Sequence, residues 1–107
     1  MMACYESGMN AEELAQSASN DDAMPEGLSP AAEVLWLAKA GEWDRAHDDC
    51  QTLADSAAGA WIHAWLHRQE GDYGNACYWY RNAGKPAKPE SYSLDDEWLE
   101  IARELLG

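Results

Sequence analysis

Two histidines, His63 and His67, stand four residues apart in a stretch with strong helical periodicity. Side chains at this spacing share one side of an α-helix, as two imidazole ligands do in helical zinc sites. A metal site needs a third protein ligand, for which Glu70 is a candidate, but the HExxH pattern is absent. The alternative is two histidines at the border of the helix that bond to a neighbouring helix or face solvent. The sequence therefore favours no bound metal and no cofactor, and leaves a small-molecule or metal-binding regulator using His63 and His67 as an alternative function.

Arg68, Tyr78 and Arg81 complete the candidate binding site around the two histidines. Arginine suits the recognition of carboxylates, and tyrosine supplies contact area at low entropic cost. Tyr78 is predicted to point away from the apolar side of its helix, where a bulky aromatic needs cover from another helix or a ligand. One interpretation is a groove for an acidic or C-terminal peptide. The other, which the sequence favours, is that Tyr78 packs under the last helix and the arginines pair with the acids of that helix.

Catalytic chemistry has little support in the sequence. His47 lies near three acids on what reads as a solvated helix face, and no nucleophile is paired with it. Cys4, Cys50 and Cys77 lack metal-ligand spacing, and Cys50 and Cys77 fall on apolar helix faces, which predicts buried free thiols. The glycines occur singly as helix stops, so no phosphate-binding loop is present. We therefore predict a protein that is not an enzyme and has no catalytic residues.

The candidate site residues belong to a predicted helical hairpin over residues 57–84. Apolar residues recur at helical spacing on both sides of Gly71-Asp72, which predicts two antiparallel helices joined by a tight turn. Gly71 can end the first helix in the left-handed conformation, and Asp72 can cap the second. The hairpin contains half of the tryptophans of the chain and most of its tyrosines: Trp61, Trp65, Trp79, Tyr73, Tyr78 and Tyr80.

A similar hairpin precedes it, with Ser29 capping one helix and Glu42 opening the next. The sequence Gly-Glu-Trp-Asp-Arg-Ala from Gly41 matches Gly-Asp-Tyr-Gly-Asn-Ala from Gly71, an offset of about 30 residues that is typical of helical-hairpin repeats. The pattern over residues 30–84 resembles the tetratricopeptide repeat, and its NACYWYRNAG end is similar to Sel1-like repeats. The block HRQEGDYGNACYWYRNAG also resembles one found in small proteins of uncharacterised function. The tetratricopeptide resemblance implies binding of peptides or partner domains on a concave face.

The remaining segments flank these hairpins. Residues 1–28 are acidic, with a possible capping box at Asn10 and Glu13, and are predicted to be partly mobile. Residues 29–107 are predicted to form one α-helical repeat domain. It ends in an amphipathic helix that begins near Ser93 and serves as a C-terminal cap. Few β-branched residues are present, so the predicted fold is all-α: two antiparallel hairpins plus the capping helix.

The charge of the chain restricts its partners. The net charge is −13, which argues against nucleic acid and anionic membrane surfaces, since both attract basic proteins. Residues 56–89 carry four bases against two acids, whereas every other part of the chain is strongly acidic. Neither a secretory signal nor a membrane-spanning run is apparent, which predicts a cytoplasmic location.

The function favoured by the sequence is a non-catalytic intracellular protein-interaction module that binds a protein or peptide partner. Besides the metal-binding or small-molecule-binding regulator, a second alternative is a structural subunit whose acidic helices dock on a basic partner. An exposed apolar patch along those acidic helices would favour this second alternative.

Overall fold

The computed structural model describes residues 9–53 and 56–106, and these residues form six α-helices and no β-strand. The predicted all-α fold is confirmed, and helices begin close to the five predicted positions at residues 29, 42, 57, 72 and 93. The helices are α1 Ala11–Asn20, α2 Pro30–Lys39, α3 Trp43–Gln51, α4 Ala57–Glu70, α5 Tyr73–Ala83 and α6 Leu94–Leu106.

Local capping chemistry accounts for most of these boundaries. Asn10 and Glu13 form a reciprocal capping box at the start of α1, and the Ser29 hydroxyl accepts a hydrogen bond from the Ala32 backbone N–H before α2. Gly71 ends α4 at φ +90°, a left-handed conformation that a residue with a Cβ adopts only under strain. The next residue, Asp72, accepts a hydrogen bond from the backbone of α5. The tight turn of the central hairpin is therefore built as its sequence predicts.

The two hairpins, α2 with α3 and α4 with α5, pack against each other through α4. Leu66 of α4 and Ala76 and Tyr80 of α5 are almost completely buried in this core. The Trp43 indole of α3 donates a hydrogen bond of 2.8 Å to the Leu66 carbonyl, which ties the first hairpin to the second. Because α4 has neighbours on several sides, every residue from 61 to 68 is buried, including the polar ones.

Helix α6 packs against α1, α2 and α4. Trp98, Ile101 and Ala102 are completely buried, and the Trp98 indole donates a hydrogen bond of 3.0 Å to the Leu35 carbonyl of α2. The C-terminal helix therefore covers the first helix of both hairpins. This position brings an acidic helix into the centre of the core.

The acidic segment 1–28 contributes α1 to the same core. Leu14 is completely buried, and Ser17 accepts a hydrogen bond of 3.0 Å from the Trp36 indole of α2. Residues 1–8, which include Cys4, lie outside the described residues. The predicted mobility of the segment is therefore untested for that part of it.

None of the helices in the described ranges has both the length and the apolar character needed to cross a bilayer.

Candidate functional site

Three imidazole rings meet where α3 packs on α4. His47 of α3 joins His63 and His67 of α4, and one ligand-capable atom from each ring lies within 4.8 Å of those of the other two. The closest approach is 3.0 Å, between Nε2 of His47 and Nε2 of His63. The sequence pairs His63 with His67 but leaves His47 among solvated acids. The signal for its true position is its place between the inward-facing Ala46 and Cys50, at the border of the buried side of α3.

Aromatic neighbours hold the three rings in place. The ring of His63 stacks on Trp79 of α5 at a centroid distance of 3.9 Å and on His67 at 5.0 Å. The ring of His47 stacks on Trp43 at 4.7 Å. Packed rings of this kind restrict side-chain rotation, so the cluster is fixed by α3, α4 and α5 together.

His63 and His67 are only 4% and 6% exposed, so they do not face solvent; His63 instead bonds to a neighbouring helix, which was the other position expected for this pair. The reason is tertiary: α3 and α5 cover the side of α4 that a single-helix projection assigns to solvent. Both residues are therefore interior groups whose polar atoms need partners.

Of the three rings, only His47 has a hydrogen-bond partner on both nitrogens within the described residues. His67 Nδ1 lies 2.7 Å from Glu70 Oε2, and His47 Nδ1 lies 3.2 Å from the Gln51 side-chain amide. His63 Nδ1 is buried and makes no hydrogen bond to the described residues. An unsatisfied buried nitrogen is rare in native proteins, so His63 is the unusual member of the cluster.

The electrostatics of the cluster favour a neutral His63. Burial, followed by the neighbouring His47 and His67, lowers the pKa of His63 from 6.5 to about 4. Two nitrogen lone pairs would repel at 3.0 Å, so one proton must lie between His47 and His63 when no cation is bound. The cluster can therefore hold either a shared proton or a cation at this point.

Arg68 is separate from the histidine cluster. Its guanidinium forms a buried ion pair with Glu97 of α6, with Nη1 2.5 Å from Oε1, and also donates to backbone carbonyls of the 84–93 connection. Glu97 accepts further hydrogen bonds from the Trp61 indole and the Tyr80 hydroxyl. Arg68 therefore does what the structural interpretation of the sequence predicted: it pairs with an acid of the last helix and positions that helix.

Tyr78 and Arg81 do not follow that interpretation. Tyr78 is 51% exposed and lies outside the cover of α6, because α6 packs on α1, α2 and α4 rather than on α5. Arg81 is exposed, and its guanidinium forms no ion pair within the described part of the chain. The acids that Arg81 was expected to hold have other partners, since Asp95 pairs with Lys39 and Glu97 pairs with Arg68. The site predicted from sequence thus divides into a buried histidine cluster, a buried ion pair and an exposed surface.

A groove of about 440 Å³ lies beside Trp61, between α6 and the connection that precedes it. Its two cations are already engaged: Lys85 pairs with Glu104 at 3.0 Å, and Lys88 pairs with Glu100 at 2.9 Å. Lys85 also lies 4.3 Å from the centre of the Trp61 ring, a cation–π distance. These contacts tie the connection to α6 and leave this groove without an unpaired charge to recognise a ligand.

Comparison of the chain with protein-family models, with curated proteins and with solved structures found no match. The resemblance to tetratricopeptide and Sel1-like repeats therefore stays a prediction from sequence. The histidine cluster and the exposed side of α5 are the two features of the molecule that suit binding.

Proposed function

We propose that this protein is a non-catalytic protein-interaction module that binds its partner on the exposed side of α5. The proposal rests on Tyr78, a large aromatic residue that is half exposed beside Arg81, whose charge has no partner among the described residues. With Asn82, these residues stand at i, i+3 and i+4 and form one strip, which we call the α5 surface. Tyrosine and arginine are the residue types that most often anchor protein interfaces.

The chemistry of the α5 surface suits a partner segment that carries a carboxylate next to an apolar group. The guanidinium of Arg81 can bind a carboxylate through two parallel N–H donors, and the Tyr78 ring offers a flat apolar contact. Arg68, Lys85 and Lys88 pair with acids of α6, so Arg81 is the one base of residues 56–89 without an ion-pair partner in the described ranges. An acidic peptide would therefore be repelled by most of the molecule and attracted at this strip.

The position of α6 supports the choice of α5. The resemblance to tetratricopeptide repeats implies peptide binding on a concave face, but α6 packs on α2 and α4, the first helices of the two hairpins. The second helix of the central hairpin keeps its outer side exposed. Tyr78 is also the sole exposed large hydrophobic residue in the described ranges, and it does not lie on the acidic helices α3 and α6. This distribution favours the interaction module over a subunit that docks its acidic helices on a basic partner.

The test combines crosslinking with matched arginine variants. A photo-crosslinking residue is placed at position 78 and, as a control, at the exposed position Asp49 of α3. We expect a discrete crosslinked partner from position 78 alone. Arg81→Ala should reduce capture of this partner severalfold, while unfolding free energy changes by no more than about 0.5 kcal/mol.

Arg45→Ala is the control for charge, because Arg45 is exposed on α3 and its loss makes the same change in net charge. Equal effects of Arg45→Ala and Arg81→Ala on capture would mean that only the overall charge matters. A partner crosslinked equally from positions 49 and 78, or a loss of capture that follows loss of folded protein, would also reject the α5 surface as the recognition site.

A further inference from the structure

The spacing of the three imidazoles is close to the spacing of ligands around a transition-metal ion. Zinc–nitrogen bonds of about 2.0–2.1 Å in tetrahedral geometry place ligand nitrogens roughly 3.3 Å apart. In the histidine cluster the closest nitrogens are 3.0 Å apart, and one ligand-capable atom from each ring lies within 4.8 Å of the others. For all three nitrogens to bind one ion, the wider separations have to shorten toward the tetrahedral value.

The surroundings of the rings resemble the outer shell of a metal site. Histidine ligands usually bond their second nitrogen to a carboxylate, a carbonyl or another polar group, which fixes the ring and makes the ligand nitrogen more basic. Glu70 does this for His67. On His47 the Gln51 amide nitrogen lies beside Nδ1, and a flip of this amide presents its oxygen as the acceptor that a ligand histidine requires. In both rings the nitrogen that remains is Nε2, and in His47 this is the atom that contacts His63.

His63 can present the remaining ligand nitrogen to the cluster. It is almost completely buried, and its Nδ1 has no hydrogen-bond partner in the part of the chain that the structure describes. A neutral imidazole carries its proton on one nitrogen and a lone pair on the other, so with the proton on Nδ1 the lone pair of Nε2, the atom that contacts His47, can bind an ion. The ring is held in this orientation between Trp79 and His67.

We propose that His47, His63 and His67 bind one divalent transition-metal ion of the zinc class. Imidazole nitrogen is a preferred ligand of Zn²⁺, Co²⁺ and Ni²⁺, and three histidines leave one coordination position for water or an external ligand. The ion takes the place of the proton between His47 and His63. The net charge of −13 also attracts cations to the protein.

Metal binding at this point joins the two hairpins. His47 lies on α3 of the first hairpin, and the other two ligands lie on α4 of the second. An ion that binds the folded chain more tightly than the unfolded chain stabilises it in proportion to the logarithm of ion concentration. The site therefore predicts a rise in melting temperature with added Zn²⁺, and this consequence is independent of any partner on the α5 surface.

The experiment uses the full chain after treatment with a chelator. Zn²⁺ affinity is measured by competition with a chromophoric chelator, and Co²⁺ absorption reports the coordination geometry. We expect one ion per chain and a higher melting temperature with Zn²⁺. The Co²⁺ absorption spectrum should be typical of a four-coordinate ion. Absence of binding by Zn²⁺, Co²⁺ and Ni²⁺, each tested alone, overturns the proposal.

Variants then locate the ion. His47→Gln removes a ligand at a half-buried position and should lower Zn²⁺ affinity by about 100-fold or more. Glu70→Gln changes a residue that bonds to the ligand His67 and should lower the affinity by about 10-fold. Asp48→Asn is the matched control, because Asp48 is an exposed acid beside His47 and contributes charge alone; we expect a change of about twofold at most. His63→Phe removes a ligand nitrogen but keeps a ring between Trp79 and His67, so it should also weaken Zn²⁺ binding. Circular dichroism verifies that this variant folds. If His63→Phe does not fold, His47→Gln alone tests the loss of a ligand.

Asp72→Asn separates this site from a second group of close ligands, formed by His67, Glu70 and Asp72. If the ion binds the three histidines, Asp72→Asn leaves affinity nearly unchanged. Binding that survives His47→Gln but is lost in Asp72→Asn would place the ion outside the histidine cluster and overturn the proposal.

Discussion

Arg68 and Glu97 form an ion pair in the centre of the molecule, with their side chains almost entirely shielded from solvent. Glu97 is the only completely buried acid in the described ranges, and it also accepts hydrogen bonds from Trp61 and Tyr80. Burial and the bond to Glu97 together raise the pKa of the Tyr80 hydroxyl well above its usual value of 10. This network joins α4, α5 and α6 through one buried carboxylate.

Removal of the charge of Glu97 should destabilise the fold strongly. Glu97→Gln retains the size of the side chain but leaves Arg68 as a buried cation without a counter-charge, which costs about 3–5 kcal/mol in comparable cases. Glu104→Gln is the control, since it removes an exposed partner of Lys85 and should cost less than about 1 kcal/mol. Urea unfolding of both variants gives the comparison.

A double variant distinguishes loss of the pair from loss of packing. When Arg68→Met and Glu97→Met are combined, no unpaired buried charge remains, so the double variant should be more stable than the sum of the two single effects predicts. Additive effects in this cycle would show that the two charges act independently.

Alanine substitution should have opposite effects on the stability of the protein at two glycines. A Cβ at Gly59, in the first turn of α4, would lie 2.0 Å from the Leu53 carbonyl oxygen, so Gly59→Ala forces the backbone apart and should cost at least about 1–3 kcal/mol. A Cβ at Gly74 in α5 meets no atom within 4 Å, and Gly74→Ala should stabilise by about 0.5 kcal/mol through higher helix propensity. Thermal unfolding of the pair measures both. Similar melting temperatures for the two variants would contradict the close approach of α4 to Leu53.

The histidine cluster should make the metal-free protein sensitive to acid. The pKa of His63 is near 6.5 in the unfolded chain and about 4 in the folded one, so between these values the unfolded chain binds more protons. Neutral His63 contributes up to roughly 3 kcal/mol to the free energy of unfolding. This contribution is fully present above about pH 6.5 and is lost as pH falls toward 4. His63→Phe should flatten this part of the pH profile when unfolding is measured with chelator present.

The other groups near His63 set the limits of that measurement. His47 and His67 face the ring directly, Glu70 bonds to His67, and all three residues are present in both proteins. The quantity to compare is therefore the difference in unfolding free energy between the original protein and His63→Phe at each pH. Parallel curves from pH 7 to pH 4 would mean that His63 does not carry the acid sensitivity.

The sequence determined the local structure of this protein because the signals for that structure are local. Helical periodicity, the Ser29 and Asp72 caps and the left-handed Gly71 each act within a few residues, and each is found as predicted. The pairing of Arg68 with an acid of the last helix was one of the two interpretations of the sequence, because arginine suits carboxylates and that helix is rich in acids. The choice of Glu97 among the acids of that helix was not accessible from the sequence.

Only the tertiary structure decided which polar residues meet. A projection of α4 alone places His63 and His67 toward solvent, but the helices packed on it make that side interior and bring His47 from another hairpin to within 3.0 Å of His63. The same packing leaves Tyr78 exposed, because α6 covers α1, α2 and α4 and does not reach the outer side of α5. Periodicity gives the angle of a side chain around its own helix, whereas its environment depends on which helices pack against that side, and this is set by contacts between residues distant in sequence.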